Sequence, residues 1–172
     1  LSVVGRHIYV RHQISIALLE FPALRVAGGD ILIISNEILG GLSTPQLTLV
    51  NGSLRVSGNP GLERMDYALL ESVGGDFEIA HNHLLPVVAS PNLVAVGAAL
   101  SVRFNPNVSL IELPLLDRVL GFLSVENSVA LQALELPTLS FVGRYLWVTV
   151  NGALESISIS DLAEVGHSLR IG

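Results

Sequence analysis

The chain contains no cysteine, which removes a disulfide framework, a thiolate metal site and a cysteine nucleophile together. Aromatic residues make up 5% and charged residues 14% of its 172 positions. A core must therefore be assembled from Leu, Val, Ile and Ala, which suits a stack of thin, repeated layers better than a globule around one centre. Positive charge is also scarce: 9 Lys and Arg stand against 15 Asp and Glu, a formal net charge of -6. That balance argues against a nucleic-acid binder, whose footprint is a basic face. No apolar run reaches the ~18 residues a membrane-spanning helix requires, and no secretory leader pattern is visible. Half of the residues are hydrophobic, far from a disordered composition.

What the chain does have is a period. Gly74 to Val96 reads Gly-Gly-x-apolar-x-apolar-x-x-Asn, then apolar residues three to six apart, then Pro-x-Leu-x-x-Val. The pattern restarts every 23 residues, at Gly5, Gly28, Asn51, Gly74, Gly97, Leu120, Gly143 and Gly166, without an insertion. A fixed period of this size marks a solenoid, in which each unit buries its apolar face only against its neighbours. The chain is thus one domain, residues 1–172, with seven full repeats from 5 to 165 and partial repeats at both ends. It starts and stops in mid-repeat without an obvious polar cap. That reads as a segment of a longer protein or as a domain with unusually open ends, and such ends suit contact with further repeats or with another subunit.

Counted from the glycine, position 4 (Ile8 to Leu169) and position 6 (Val10 to Ile171) are apolar in every copy. Apolar residues two apart predict a half-buried strand, and eight such strands in register predict one parallel sheet. At roughly 4.8 Å per layer, seven repeats form a body about 34 Å long. Positions 12, 15 and in some copies 17 (Leu134-Glu135-Leu136) are apolar too, which predicts a second short strand. Position 20 is Leu in every full copy and position 23 is Val in all but Ala27, which predicts a third inward corner. Pro22, Pro45, Pro91, Pro114 and Pro137 share position 18, where a fixed φ and a missing N–H suit a corner between strands.

Position 9 carries the most diagnostic residues: Asn36, Asn59, Asn82, Asn105 and Asn151, with Gln13 and Ser128 standing in and Asn127 one residue early. An amide at this point can both donate to and accept from the main chain of the neighbouring layer. Stacked asparagines then satisfy buried backbone groups along the whole solenoid.

The runs Leu70-Glu-Ser-Val-Gly-Gly-Asp-Phe-Glu-Ile-Ala-His-Asn82 and Leu93-Val-Ala-Val-Gly-Ala-Ala-Leu-Ser-Val-Arg-Phe-Asn105 resemble the repeat of receptor L-domain-like leucine-rich proteins. That family includes growth-factor receptor ectodomains and microbial and fungal cell-surface proteins. The resemblance implies an all-β, right-handed β-helix of leucine-rich-repeat type, located outside the cell, with no shared catalytic residues and no cofactor. The regular repeats, without the flanking cysteines of receptor L domains, look closer to the microbial or fungal cell-surface type.

Several constellations invite a chemical reading. Gly74-Gly-Asp-Phe-Glu78 is similar to the Gly-Gly-Asp-Glu-Phe signature of cyclic-dinucleotide synthesis, but the same slots read Gly28-Gly-Asp-Ile-Leu32, so the repeat accounts for both. His81-Asn-His83 supplies two imidazoles with no obvious third ligand beyond Asp76, and no metal site is assigned. His7 and His12 flank another strand. Glu20, Asp66, Glu112 and Glu135 share position 16 and read as a solvated acidic edge. No Ser/His/Asp order suggests a triad. A flat ice-binding face would need a column of Thr, which is absent. Asn51-Gly-Ser53 and Asn107-Val-Ser109 are glycosylation sequons, with Asn107 the better placed.

Positions 3, 5 and 7 alternate with the core positions and are expected to face solvent. Phe122, Tyr145 and Trp147 fall there on adjacent layers, three of the nine aromatics in the chain, with Arg55 and Arg103 nearby. Tyr9, Arg11 and Ile34 mark a weaker patch at the other end. Exposed aromatic patches mark binding sites, with Trp and Tyr as frequent anchors. The expectation is a non-enzymatic, extracellular or cell-surface module that binds a protein or carbohydrate ligand. The alternative is a structural spacer or assembly subunit in a filament, cell wall or surface layer.

Overall fold

The computed structural model describes all 172 residues. The chain is all-β and winds as a solenoid of about 7 turns of ~23 residues, built from parallel sheets. The broad sheet has eight strands at positions 4–7, from Ile8–Arg11 through Phe77–Ala80 to Tyr145–Thr149 and Ser168–Ile171. Register is kept without slippage, so that Phe77 lies between Leu54 and Leu100, and Ile79 between Val56 and Val102. Alternation follows directly: Leu54, Val56, Leu100 and Val102 are buried, whereas Arg55 and Arg103 reach solvent.

The expected third corner is itself a sheet. Eight two-residue strands, Val26–Ala27 and its equivalents at positions 22 and 23, pair in parallel from end to end. The second short strand lies at positions 14–16, but its sheet is split into a three-stranded part ending at Arg64–Asp66 and a four-stranded part starting at Val87–Ala89. The split falls at the coil that carries Pro86. At position 13 the N–H of Glu63 bonds the Gly40 carbonyl, and that of Ser109 bonds the Pro86 carbonyl. Pro86 has no N–H to return to Glu63, and the Tyr67 N–H does not reach Ala89 as the equivalent Thr44 and Ser90 N–H groups reach Asp66 and Glu112, so more than one rung is missing where the sheet divides.

Two tight turns per coil join the strands. The position 12 N–H bonds the position 9 carbonyl (Leu62 to Asn59, 3.0 Å), and the position 20 N–H bonds the position 17 carbonyl (Leu47 to Thr44, 3.0 Å). Pro60 and Pro106 occupy the second residue of the first turn, Pro45 and Pro137 that of the second, where a fixed φ is already correct. Residues from all faces close a single core cluster of 36 buried side chains. Glycine at position 1 permits close stacking in most coils: a Cβ on Gly97 would lie 2.2 Å from the Gly74 carbonyl oxygen, and one on Gly143 2.1 Å from that of Leu120, while Asn51 and Leu120 are the two exceptions.

The asparagine ladder forms. The Oδ1 of each asparagine accepts the position 9 N–H of the preceding layer, as from Asn36 to Asn59 (3.0 Å) and Asn82 to Asn105 (2.9 Å). Its Nδ2 donates to the position 6 carbonyl of that layer, as from Asn82 to Val56 and Asn105 to Ile79, both 2.9 Å. Asn36, Asn59, Asn82 and Asn105 are fully buried. Asn151 continues the ladder to the Ser128 N–H and the Val125 carbonyl, and Gln13 ends it by donating its own N–H to Asn36. Ser128 makes neither side-chain bond, and its Oγ is buried without a partner.

Position 8, just before the ladder, is left-handed in all seven coils. His12, Ser35, His81, Phe104, Asn127 and Val150 have φ of 54–58° and Gly58 has 68°. Asn127, seemingly one residue early, therefore occupies the slot where Asn tolerates a positive φ better than other side chains. Val150 is the costly occupant, because a β-branched side chain is the least compatible with that backbone.

Ser128→Asn is expected to complete the ladder and stabilise the protein by about 1–2 kcal/mol, whereas Asn82→Ala removes an acceptor and a donor inside the stack and costs about 3 kcal/mol; urea unfolding of the two variants beside wild type measures both. Val150→Asn is expected to add about 1 kcal/mol by relieving the left-handed turn, read as a higher urea midpoint at unchanged slope.

Candidate functional site

The outward side of the broad sheet is where the repeat stops dictating residue type. Along position 5 it presents Tyr9, Leu32, Arg55, Glu78, Ser101, Ser124, Trp147 and Arg170, a sequence of chemistries with no structural period. This face divides into three regions, each with its own geometry.

At the late end, Tyr145 and Trp147 pack with ring centroids 5.0 Å apart, and His167 packs on the other side of Tyr145 at 5.2 Å. Strand alternation brings Tyr145 and Trp147 to one face two residues apart. His167 joins from the turn of the next coil, where no sequence pattern marks it. Trp147 remains 38% exposed. Phe122 departs from the expected three-ring patch. It is 39% exposed, but instead of joining this stack it lines a shallow cavity of about 330 Å3 with Asp76, Ala99, Leu120 and Arg144. Leu120 stands where most coils have glycine, and its side chain turns outward, 54% exposed.

In the middle, Arg55 pairs with Asp76 and lies 3.8 Å from Glu78, and Arg103 pairs with Glu78 at 2.8 Å. Arg103, expected to point outward near the aromatic patch, is held across the sheet by a carboxylate one layer back. These side chains and Phe122 stand over small residues. Ser101 and Ser124 are only 6% and 4% exposed, and Ala80 is fully buried, so these outward positions do not face solvent as alternation alone predicts. The result is a trough: Ala99 and Ser101 form its floor between Arg55, Glu78, Arg103 and Phe122.

At the early end, His7 stacks on Tyr9 at 5.2 Å, and the Arg11 guanidinium lies 4.8 Å from the Tyr9 ring centroid. Ile34 is half-buried beside this group. Arg11 over Tyr9 is a cation–π contact of ordinary geometry.

The remaining candidates take structural or isolated positions. His81 lies flat on Phe104, centroids 4.7 Å apart and planes 7° apart. His81 and His83 flank the buried Asn82, and no three His, Asp or Glu side chains cluster closely enough to share a metal. The glycines of Gly74-Gly-Asp-Phe-Glu78 serve stacking, since a Cβ on Gly75 would lie 2.6 Å from Ser53 Oγ. Glu20, Asp66, Glu112 and Glu135 line the split sheet, with Glu112 and Glu135 in register. Asp66 instead makes a local turn, its Oδ1 accepting the Ala68 N–H at 3.1 Å. Asn51 and Asn107 are both exposed in turns. No helix is long and apolar enough to cross a membrane.

Comparison with known proteins finds no family model, no curated protein and no solved structure that matches this chain. The sheet face is therefore read from its own chemistry.

The ion-pair network is surface electrostatics over a small-residue floor. Glu78→Gln is expected to lower stability by no more than about 1 kcal/mol at low salt, with the difference disappearing near about 1 M NaCl; paired denaturant titrations at the two salt concentrations measure it.

Proposed function

We propose that this solenoid is a non-enzymatic recognition module that works outside the cell or at its surface, using the outward face of the broad sheet. The observation that carries the reading is the contrast within one molecule. Inward positions are apolar in coil after coil and the asparagine ladder recurs, whereas the face that stacking leaves free concentrates Phe122, Tyr145 and Trp147 beside an arginine–carboxylate network. Trp and Tyr give large contact area at low entropic cost, and arginine forks add orientation, which is the make-up of a recognition surface. Arg103 belongs to this surface as the outer edge of the trough.

The resemblance of the repeat to receptor L-domain-like proteins supports an extracellular setting, as do the two exposed sequons at Asn51 and Asn107. On this reading the ladder asparagines hold the scaffold and do not touch the ligand.

The test is capture from surface and secreted extracts by the wild-type chain and by a Phe122→Ser, Tyr145→Ser, Trp147→Ser triple variant of equal thermal stability. A partner retained by the wild type and lost by the variant is expected. Equal capture by both would move the function off this face.

A further inference from the structure

A second side-chain ladder runs along position 3, and it stops at one layer. The N–H of Asp30 donates to His7 Nδ1 (2.9 Å), that of Ser53 to Asp30 Oδ1 (2.8 Å), that of Asp76 to Ser53 Oγ (3.1 Å), and that of Ala99 to Asp76 Oδ1 (3.2 Å). In four successive layers, the position 3 side chain is the acceptor for the next layer's position 3 N–H. The fifth layer has Ala99, which carries no acceptor, and the Phe122 N–H makes no hydrogen bond within the protein. The two later layers have Phe122 and Tyr145 at this position, rings that offer no acceptor to the next layer's N–H. Only over Ala99 is the missing acceptor also an open volume, the cavity of about 330 Å3 bounded by Asp76, Leu120, Phe122 and Arg144.

We propose that this notch binds one ring of a neutral carbohydrate, a ligand hydroxyl taking the place of the missing position 3 side chain. The inference rests on the sheet face being a recognition surface and names its ligand class. The built-in acceptors run His7, Asp30, Ser53, Asp76, and beside the Asp76 carboxylate a neutral oxygen is the acceptor that adds no like charge. A hydroxyl fits because it accepts from the Phe122 N–H and donates onward to Asp76. A ligand carboxylate fits less well, since it would stand about one layer spacing, ~4.8 Å, from the Asp76 carboxylate. Arg144 forms no ion pair within the protein and supplies further donors to neighbouring hydroxyls. The half-exposed Phe122 ring offers an apolar wall to the C–H face of a pyranose. A few convergent polar groups beside an aromatic wall make a small-molecule site.

The experiment is an amide NMR titration of the whole chain with glucose, galactose, mannose and N-acetylglucosamine, with short oligosaccharides of each, and with glucuronate as the acidic arm. At least one neutral sugar is expected to shift the Ala99, Phe122 and Arg144 amides saturably, with Kd of about 1 mM for a single ring. Tighter binding of the oligosaccharide identifies a glycan chain as the source, and equal binding identifies the free sugar. Ala99→Ser supplies the hydroxyl from within, as Ser53 does in its own layer. It is expected to slow exchange of the Phe122 amide without lowering the melting midpoint, and to weaken sugar binding by about ten-fold or more. No shift at Phe122 with any neutral sugar, preference for glucuronate, or unchanged Phe122 exchange in Ala99→Ser would each overturn the inference. A partner captured through Tyr145 and Trp147 and indifferent to Ala99→Ser would also overturn it, while leaving the recognition face in place.

Discussion

Most main-chain polar groups of this molecule are satisfied by the coils on either side. Parallel stacking sends the N–H of one layer to the carbonyl of the next, and the same positions meet again 23 residues on, as Gly74 N–H does with Val50 and Gly97 N–H with Val73, both at 2.8 Å. An insertion in one coil would break this pairing on all of its sheets at once. That explains why the period is kept without an exception. It also explains why the conserved features of the repeat are those of contact between layers: glycine where a Cβ would strike the previous carbonyl, asparagine where the turn leaves buried groups unmet, proline where no N–H is needed.

Where one residue departs from this rule, the effect stays local. Pro86 withholds a donor and one sheet divides there, yet the two flanking sheets pass through the same layer unbroken. Ser128 drops one rung of the asparagine ladder, and Asn151 resumes it in the next coil. Redundancy across three faces lets a coil lose a bond on one side while register is held by the other two. The same tolerance allows Ala99 and Leu120 to open a notch on the broad sheet without disturbing the strands beneath, where Leu100, Val102, Leu123 and Val125 remain buried.

The candidate face follows from the same division of labour. Inward positions are held to Leu, Val and Ile by close packing, and outward positions are released from it. Small residues at Ser101 and Ser124 let long neighbours fold across the sheet, so Arg103 reaches Glu78 in place of its register partner Glu126. A surface with aromatic walls, paired charges and a recessed floor is thereby placed on a frame of regularly paired strands.

The repeat was legible in the sequence because its causes are periodic. Stacking, alternation and the ladder each repeat a residue type at a fixed spacing, so the eight-stranded sheet, the buried positions and the role of Asn36, Asn59, Asn82, Asn105 and Asn151 could be read from residues alone. What has no residue signature was decided by the tertiary structure. The left-handed turn at position 8 is filled by His, Ser, Phe, Asn, Val and one Gly, because the surrounding layers impose the backbone and leave the side chain free. The position 3 ladder alternates imidazole, carboxylate and hydroxyl, sharing an acceptor but no residue type. Phe122 parts from Tyr145 because Ala99 leaves a space beside it, a relation between neighbours 23 residues apart that strand alternation does not contain. Sequence determines what must recur in every coil; only the stacked structure decides what each coil's exceptions meet, since those contacts lie across layers and depend on side chains of unlike size.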